Sequence, residues 1–243
     1  MREALGRVVR LLLLCGFGLA ACGGKPVQPA AAPAAQPSAG DDDGAAAERH
    51  MQVEGTLGTI PTRRIEETMQ AKLPALQRCF YEGTGEVEFL AGHMKFYFRV
   101  GLDGRVEYVH PRGSSIGHRA TELCLLEIAR KARFPKPQGG GAAEFVWGFE
   151  IESPDGVRAP VVWDEARVGG SVREQRATLD HCALGSGHYI VTSYVAPGGT
   201  VLSAGAAADS QEAADKIDCV VAAVKSWHMP DPGSYPAKVS FGL

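Results

Sequence analysis

The residues that could do chemistry in this chain are its seven histidines, six cysteines and a few serines in glycine-rich loops. A metal site needs histidine, cysteine or carboxylate ligands at a spacing that brings them to one point. His110 and His118 flank one loop and His181 and His188 flank another, and none has a recognised ligand spacing with a second ligand on the same element. We interpret them as loop or surface residues, and the sequence predicts no metal site and no cofactor.

The serines and paired acids do not form a catalytic pattern either. Residues 113–117 place two serines and an isoleucine between glycines, which differs from the G-x-S-x-G nucleophile elbow. Glu86 and Glu88 alternate ahead of a predicted strand, which is typical of solvent-facing positions rather than of an acid–base pair. The sequence therefore predicts no catalytic residues. A hydrolase would require a pocket that couples a histidine to a glutamate or a serine.

Composition narrows the class of partner. Hydrophobic residues make up 45% and charged residues 22% of the chain, as in ordinary globular proteins, and the formal net charge is −3. Nucleic-acid binding would need a basic face, which this balance does not favour. A mildly acidic protein also has no general attraction to an anionic membrane surface.

The N-terminus has the features of a signal peptide. Residues 1–21 carry three arginines followed by the apolar run Leu11–Ala21, which is too short to span a bilayer. The run ends in Leu19-Ala20-Ala21-Cys22, which resembles the lipobox of bacterial lipoproteins. The resemblance implies cleavage before Cys22 and acylation of that cysteine. Because Gly23 rather than aspartate follows, it also implies an outer-membrane anchor facing the periplasm. The alternative is an ordinary secretory signal that leaves Cys22 as a free thiol.

The segment after the signal is predicted to be a tether. Residues 22–50 are mostly Gly, Ala, Pro, Gln and Ser and lack large apolar side chains, so they are expected to be disordered. A flexible chain of about 25 residues has a root-mean-square span of roughly 25–30 Å. Such a segment would hold the folded part away from the membrane.

The remaining chain contains an internal repeat. The first copy is assigned to residues 53–152, the linker to 153–170 and the second, divergent copy to 171–243. The residue numbers of equivalent positions differ by 103 up to the first cysteine of each copy and by 95 from the first strand onwards. The change in length therefore falls in the loop between that cysteine and that strand, as expected for a structural repeat. The equivalent pairs are Met69/Val172, Leu76/Leu179 and Cys79/Cys182 at the first offset, and Phe96/Val191, Gly104/Gly199, Cys124/Cys219 and Pro135/Pro230 at the second.

The cysteines outside the N-terminal segment fit two disulfides. Without Cys15 and Cys22, four cysteines remain. In an oxidising compartment they are expected to form two disulfides, for which three connectivities are possible. The repeat selects Cys79–Cys124 and Cys182–Cys219. These close loops of 45 (124 − 79) and 37 (219 − 182) residues. Each bridge is worth roughly 4 kcal/mol in the chain-entropy account.

Each copy is predicted to run helix–strand–strand–helix–strand. The fold class is therefore α+β, with two units that each place two helices on one face of a small antiparallel sheet. The first helix is expected to kink or restart at Pro74, which breaks helical hydrogen bonding. The second helix is expected from about His118 to Arg133, with Leu123 and Ile128 facing inward.

The first copy resembles a known family. Its resemblance rests on the helix ending at Cys79, the strand pair around Gly104, Ser114-Ser115, Cys124 and Phe134-Pro135-Lys136-Pro137. These are similar to the AgmX/PglI C-terminal domain, which is in turn similar to the TonB C-terminal fold. The second copy departs from the pattern at His181-Cys182-Ala183 and at Met229. The resemblance implies a periplasmic, non-catalytic interaction module and supplies no ligand.

Two tyrosines are candidates for an interaction face. Tyr97 alternates with Phe96 and Phe98, and Tyr194 lies in the equivalent region of the second copy. Two interpretations are open. In the first, one of the two sheet faces is covered by the neighbouring repeat; in the second, the tyrosines bind a partner strand or a glycan. The third strand of each sheet could also accept a partner strand at its edge. We expect a scaffold or adaptor lipoprotein with an envelope protein partner. A peptidoglycan- or glycan-binding lipoprotein and an envelope hydrolase are the alternatives.

Overall fold

The computed structural model describes residues 57–243, so the predicted signal peptide, Cys22 and the tether lie outside the described residues. Within residues 57–243, no helix combines the length and hydrophobicity needed to cross a bilayer. The α-helices are α1 (Thr62–Gln70), α2 (Leu73–Thr84), α3 (Arg119–Arg130), α4 (Gly169–Gln175), α5 (Gln211–Ala214) and α6 (Ile217–Lys225). The strands are β1 (Gly92–Val100), β2 (Val106–Ser114), β3 (Ala143–Ile151), β4 (Val161–Trp163), β5 (Tyr189–Val195), β6 (Val201–Ala208) and β7 (Ala237–Gly242).

The strands form two small sheets, and the α+β class is confirmed. The first sheet has the order β2-β1-β3 and is antiparallel throughout. The second has the order β4-β7-β5-β6, in which β4 runs parallel to β7. The expectation of a purely antiparallel sheet in the second copy is therefore wrong. Its fourth strand comes from the segment assigned as a linker, where Val161–Trp163 pairs with β7.

The first helical segment differs between the repeats. In the first repeat the helix restarts at Leu73, and Pro74 lies in the first turn of α2, where proline is tolerated because no helical hydrogen bond is lost. The predicted interruption at Pro74 is therefore present. In the second repeat α4 is short and is followed by a 3₁₀ helix, Arg176–Cys182. A further 3₁₀ turn, Glu165–Arg167, follows β4.

The turn between the first two strands shows how closely the repeats correspond. The backbone N–H of Phe134 donates to Gly104 at 3.0 Å, and that of Met229 donates to Gly199 at 2.9 Å, so both bonds keep the offset of 95. Both glycines have positive φ, +79° and +84°. A Cβ atom would lie only 2.1 Å and 2.2 Å from the carbonyl oxygens of Phe134 and Met229. Only glycine fits these two turns.

Both disulfides that the repeat predicts are present. Cys79–Cys124 joins α2 to α3 with a Cα–Cα distance of 5.8 Å. Cys182–Cys219 joins the end of the 3₁₀ helix to α6 with a Cα–Cα distance of 5.6 Å. Each bridge therefore fixes one helical segment against the next on the same sheet.

Helix α3 is rotated from its predicted orientation. Leu125 and Ala129 are fully buried in the first core, whereas Leu123, which was expected to face inward, is 45% exposed. Ile128 is partly buried against the same core. The disulfide from Cys124 runs sideways to α2 and does not mark the centre of the buried face. Glu122 takes an inward position instead and is completely buried.

Candidate interaction face

Polar and aromatic side chains of β1, β2 and β3 stand together on the outer face of the first sheet, opposite its helices. Phe96 and Phe98 are fully buried on the inner face, and Tyr97 is partly exposed on the opposite face, as the alternation predicted. We define the outer face by Lys95, Tyr97 and Arg99 on β1, Glu107 and Tyr108 on β2, and Glu144 and Val146 on β3.

Charged groups hold the centre of this outer face. Arg99 donates through Nε to Glu107 Oε2 at 2.8 Å and through Nη1 to Glu144 Oε1 at 2.5 Å. The Tyr97 hydroxyl donates to the other oxygen of Glu144. Burial raises the pKa of Tyr97, and its bond to Glu144 raises that pKa further. The bond from Tyr97 is the largest factor that lowers the pKa of Glu144, and Arg99 adds to it. Glu144 and Arg99 are therefore charged at neutral pH, whereas Tyr97 keeps its proton and donates it in the bond to Glu144.

Three rings stack beside the ion pairs. The Tyr97 ring lies 6.0 Å from that of Tyr108 with an interplanar angle of 15°, and 5.0 Å from that of His110. His110 is 3% exposed, so the interpretation of this residue as a surface histidine is wrong. Burial lowers the pKa of His110, and Arg112 adds to that effect. The imidazole is therefore a neutral ring in the stack at neutral pH.

His118 is also buried, contrary to expectation, and has a structural role. Its Nδ1 accepts from the backbone N–H of Thr121, which makes His118 the N-cap of α3, and lies 2.8 Å from Thr121 Oγ1. Its Nε2 lies 3.2 Å from Glu86 Oε2. His118 thus ties the start of α3 to the segment after α2. Glu86 itself remains exposed, as the sequence predicted.

A serine–histidine contact occurs where β1 begins. Ser115 Oγ lies 2.9 Å from His93 Nδ1 and also accepts from the backbone N–H of His93 at 3.0 Å. In the described part of the chain, no carboxylate is hydrogen-bonded to the His93 ring to orient it. Ser115 therefore fastens the end of β2 to the start of β1. The Oγ of the neighbouring Ser114 is buried and donates to Glu122.

Tyr194 does not lie on an exposed interaction face; of the two interpretations, coverage of one sheet face by the neighbouring repeat is confirmed here. It is fully buried and packs in the first core, with its ring 5.4 Å from that of Phe89. Its hydroxyl donates to the carbonyl of Ala91 at 3.3 Å and accepts from the amide of the same residue at 3.4 Å. Lys238 Nζ also donates to Ala91, and burial lowers its pKa to about 8. The outer face of the second sheet is covered by the first repeat.

Glu122 is the key residue that sequence reasoning missed at this contact between repeats. Its Oε1 accepts from Ser114 Oγ at 2.6 Å, and its Oε2 accepts from the backbone N–H of Ala206 at 3.1 Å. Arg119 Nη1 lies 3.8 Å away and does not hydrogen-bond to it. A Cβ on Gly205 would lie 2.3 Å from Oε1. The second repeat therefore needs glycine there to admit the carboxylate.

Further hydrogen bonds connect the two repeats around Glu122. Arg119 Nε donates to Asp218 Oδ1 at 2.6 Å, and Ser203 Oγ donates to the carbonyl of Gly117 at 2.8 Å. The small residues of β6 were the available signal for this contact. A strand whose side chains are almost all alanine, serine or glycine permits another backbone to approach closely.

The pH dependence of stability should report on Glu122. Burial raises its pKa above the ordinary value of 4.5, and the bonds from Ser114 and the charge of Arg119 only partly oppose this. The folded state therefore retains a proton that the unfolded state loses, so the free energy of unfolding should fall as the pH rises from 4.5 through the folded-state pKa. Glu122→Gln should remove this fall. Urea unfolding of both proteins across this range gives the comparison, and parallel curves would contradict it.

Strand β3 provides an open edge beside the outer face. It pairs with β1 on one side, and on the other the described residues contribute only an isolated bridge between Gly58 and Ala143. Val146, beyond that bridge, is 52% exposed. Unpaired backbone groups at a strand edge can accept a further strand. The edge and the outer face thus form one continuous surface.

Comparison with protein-family models, curated proteins and solved structures returned no match for this chain. No family is therefore assigned. The resemblance to the AgmX/PglI C-terminal domain stays a prediction from the motifs of the first repeat.

Proposed function

We propose that this protein is a non-catalytic lipoprotein scaffold or adaptor, anchored through Cys22 to the outer membrane and binding an envelope protein partner in the periplasm. The N-terminal motif supports the anchor, since Leu19-Ala20-Ala21-Cys22 follows a short apolar run. Two disulfides support an oxidising compartment. The resemblance of the first repeat supports an interaction module.

The observation that carries the proposal is the continuous surface formed by the β3 edge and the outer face. The outer face of the second sheet packs on the first repeat, whereas Lys95, Glu107 and Val146 on the outer face of the first sheet are exposed and could meet a partner. Backbone groups at the β3 edge would supply affinity, and the alternate side chains Glu144 and Val146 would supply specificity. The Arg99 ion pairs hold the surface in one arrangement before binding, which lowers the ordering cost.

A glycan-binding function is the alternative that one observation favours. Tyr97 and Tyr108 are stacked and partly exposed, and flat aromatic rings beside hydrogen-bonding groups suit a sugar ring. Peptidoglycan would be the available glycan in the periplasm. Co-sedimentation with purified cell-wall sacculi tests it, with Tyr108→Ala as the variant that should lose the interaction.

Site-specific photocrosslinking in intact cells tests the adaptor proposal. A photoreactive residue replacing Val146 should yield a discrete crosslinked protein identified by mass spectrometry. The matched control replaces Val162, which is 80% exposed on β4, and should yield none. Cys22→Ala should abolish the crosslink because the protein loses its anchor. Equal crosslinking from both positions, or recovery of cell-wall fragments alone, would contradict the adaptor proposal.

A further inference from the structure

Three metal-ligating side chains meet where the 3₁₀ helix Arg176–Cys182 contacts α6. His181 Nε2 lies 3.6 Å from Cys182 Sγ, and the ligand atoms of His181, Cys182 and Cys219 all lie within 4.8 Å of one another. His181 is exposed, and Cys219 is partly exposed. Within residues 57–243, no other group of three histidine, cysteine or acidic ligands comes this close together.

The backbone beside this cluster is strained. Ala183, directly after Cys182, has φ +49° and ψ +56°, and it is the only non-glycine residue with positive φ in the described part of the chain. A left-handed conformation is unfavourable for a residue with a Cβ. Such strain persists where the surrounding structure fixes it, and it is concentrated at ligand and switch sites. Here it ends the helix that carries both His181 and Cys182.

The first repeat contains the same disulfide without the histidine. At the offset of 103, Cys182 corresponds to Cys79 and His181 corresponds to Arg78. A guanidinium stays protonated and has no lone pair to offer a metal ion. The Cys182–Cys219 disulfide thus has a histidine beside it and the Cys79–Cys124 disulfide has an arginine in the same place. The Cys79–Cys124 disulfide therefore serves as an internal control for metal binding at Cys182–Cys219.

We propose that reduction of Cys182–Cys219 opens a site in which His181, Cys182 and Cys219 bind one thiophilic cation of the zinc class. A dithiol reductant supplies two electrons and two protons: the S–S bond breaks, two thiols form, and the reductant becomes a disulfide. The cation then displaces the two thiol protons and is held by two thiolates and the neutral imidazole. The fourth position is open to water or to a small ligand.

The distances suit this ligand set. Tetrahedral zinc, with Zn–S of about 2.3 Å and Zn–N of about 2.0–2.1 Å, places a sulfur and a nitrogen ligand roughly 3.5 Å apart. His181 and Cys182 already have this separation. The two sulfurs must move apart, to roughly 3.8 Å, and rotation about the Cα–Cβ bonds would supply that movement. The cation would link the same two elements as the disulfide, and it would bind only in the reduced state.

The test uses the full chain, reduced under anaerobic conditions, with Zn²⁺ as the probe. A competition titration against a chromophoric chelator should show one site that depends on His181. Zn²⁺ should also protect Cys182 and Cys219 from alkylation, mapped residue by residue by mass spectrometry, while Cys79 and Cys124 react. The mapping separates this site from the thiols of Cys15 and Cys22. The oxidised chain should show no binding at this cluster.

The matched control is His181→Arg, which reproduces the arrangement of the first repeat and keeps both cysteines. We expect its affinity for Zn²⁺ to fall at least about tenfold, since even loss of an outer-shell partner costs 10–100-fold. If reduction unfolds the chain, Zn²⁺ should restore the circular dichroism spectrum of the wild type but not of the variant. No zinc binding, or equal affinity and equal protection in both proteins, would overturn the proposal.

Discussion

Tyr194→Ala is expected to lower the free energy of unfolding by about 3–5 kcal/mol. Tyr194 is fully buried, its ring packs against Phe89, and its hydroxyl bonds to both backbone groups of Ala91. The substitution removes a large side chain from the contact between the repeats and leaves the Ala91 amide without its partner, while the Ala91 carbonyl keeps the bond from Lys238. Tyr194→Phe keeps the ring, so it should cost only about 1 kcal/mol. Equilibrium unfolding in urea measures both.

Tyr97→Ala is the matched control, because the two tyrosines were assigned to the same interaction face. Tyr97 is partly exposed, and its loss removes one bond to Glu144 and part of a ring stack rather than a segment of the core. We expect a loss of about 1 kcal/mol. Equal losses for Tyr97→Ala and Tyr194→Ala would contradict the difference in burial.

The strand faces were predictable, whereas their environment was not. Alternation of apolar and polar residues placed Tyr97 opposite Phe96, and at the offset of 95 Tyr194 corresponds to Arg99. Both Arg99 and Tyr194 lie on outer faces, but only the second is covered by the neighbouring repeat. Local periodicity fixes the direction of a side chain and carries no information about which distant segment packs over it. The change from arginine to tyrosine was the available signal.

The elements at the contact between repeats were predicted least well for the same reason. The apolar spacing of Leu123 and Ile128 favoured one face of α3, but Glu122 occupies the buried side because Gly205, far along the chain, makes room for it. The β4 strand was assigned to a linker because three residues carry too short a pattern, and only pairing with β7 defines it. The disulfides were predictable because both cysteines of each pair recur in register.

Gly205→Ala is expected to lower the free energy of unfolding by about 3 kcal/mol. The new methyl group would lie 2.3 Å from Glu122 Oε1 and 2.6 Å from Cδ, so the carboxylate must move. Any such movement breaks the bonds that it accepts from Ser114 and Ala206 inside a fully buried contact. Gly170→Ala is the control: Gly170 lies in α4, and a Cβ added there would have no neighbour within 4 Å, so alanine should be neutral or slightly stabilising.

A double-mutant cycle separates this steric conflict from a general intolerance of alanine at position 205. Glu122→Ala alone should cost about 2–4 kcal/mol, since it leaves the Ala206 amide without its acceptor and opens a cavity. In that background, Gly205→Ala places its methyl group in the vacated space and should cost little or even restore stability. The coupling energy is then about 3 kcal/mol, at the upper end of the range for residues in direct contact. Additive losses would mean that glycine is needed at position 205 for its backbone conformation and not to make room for Glu122. The Glu122 carboxylate would then not be the group that determines how the two repeats pack.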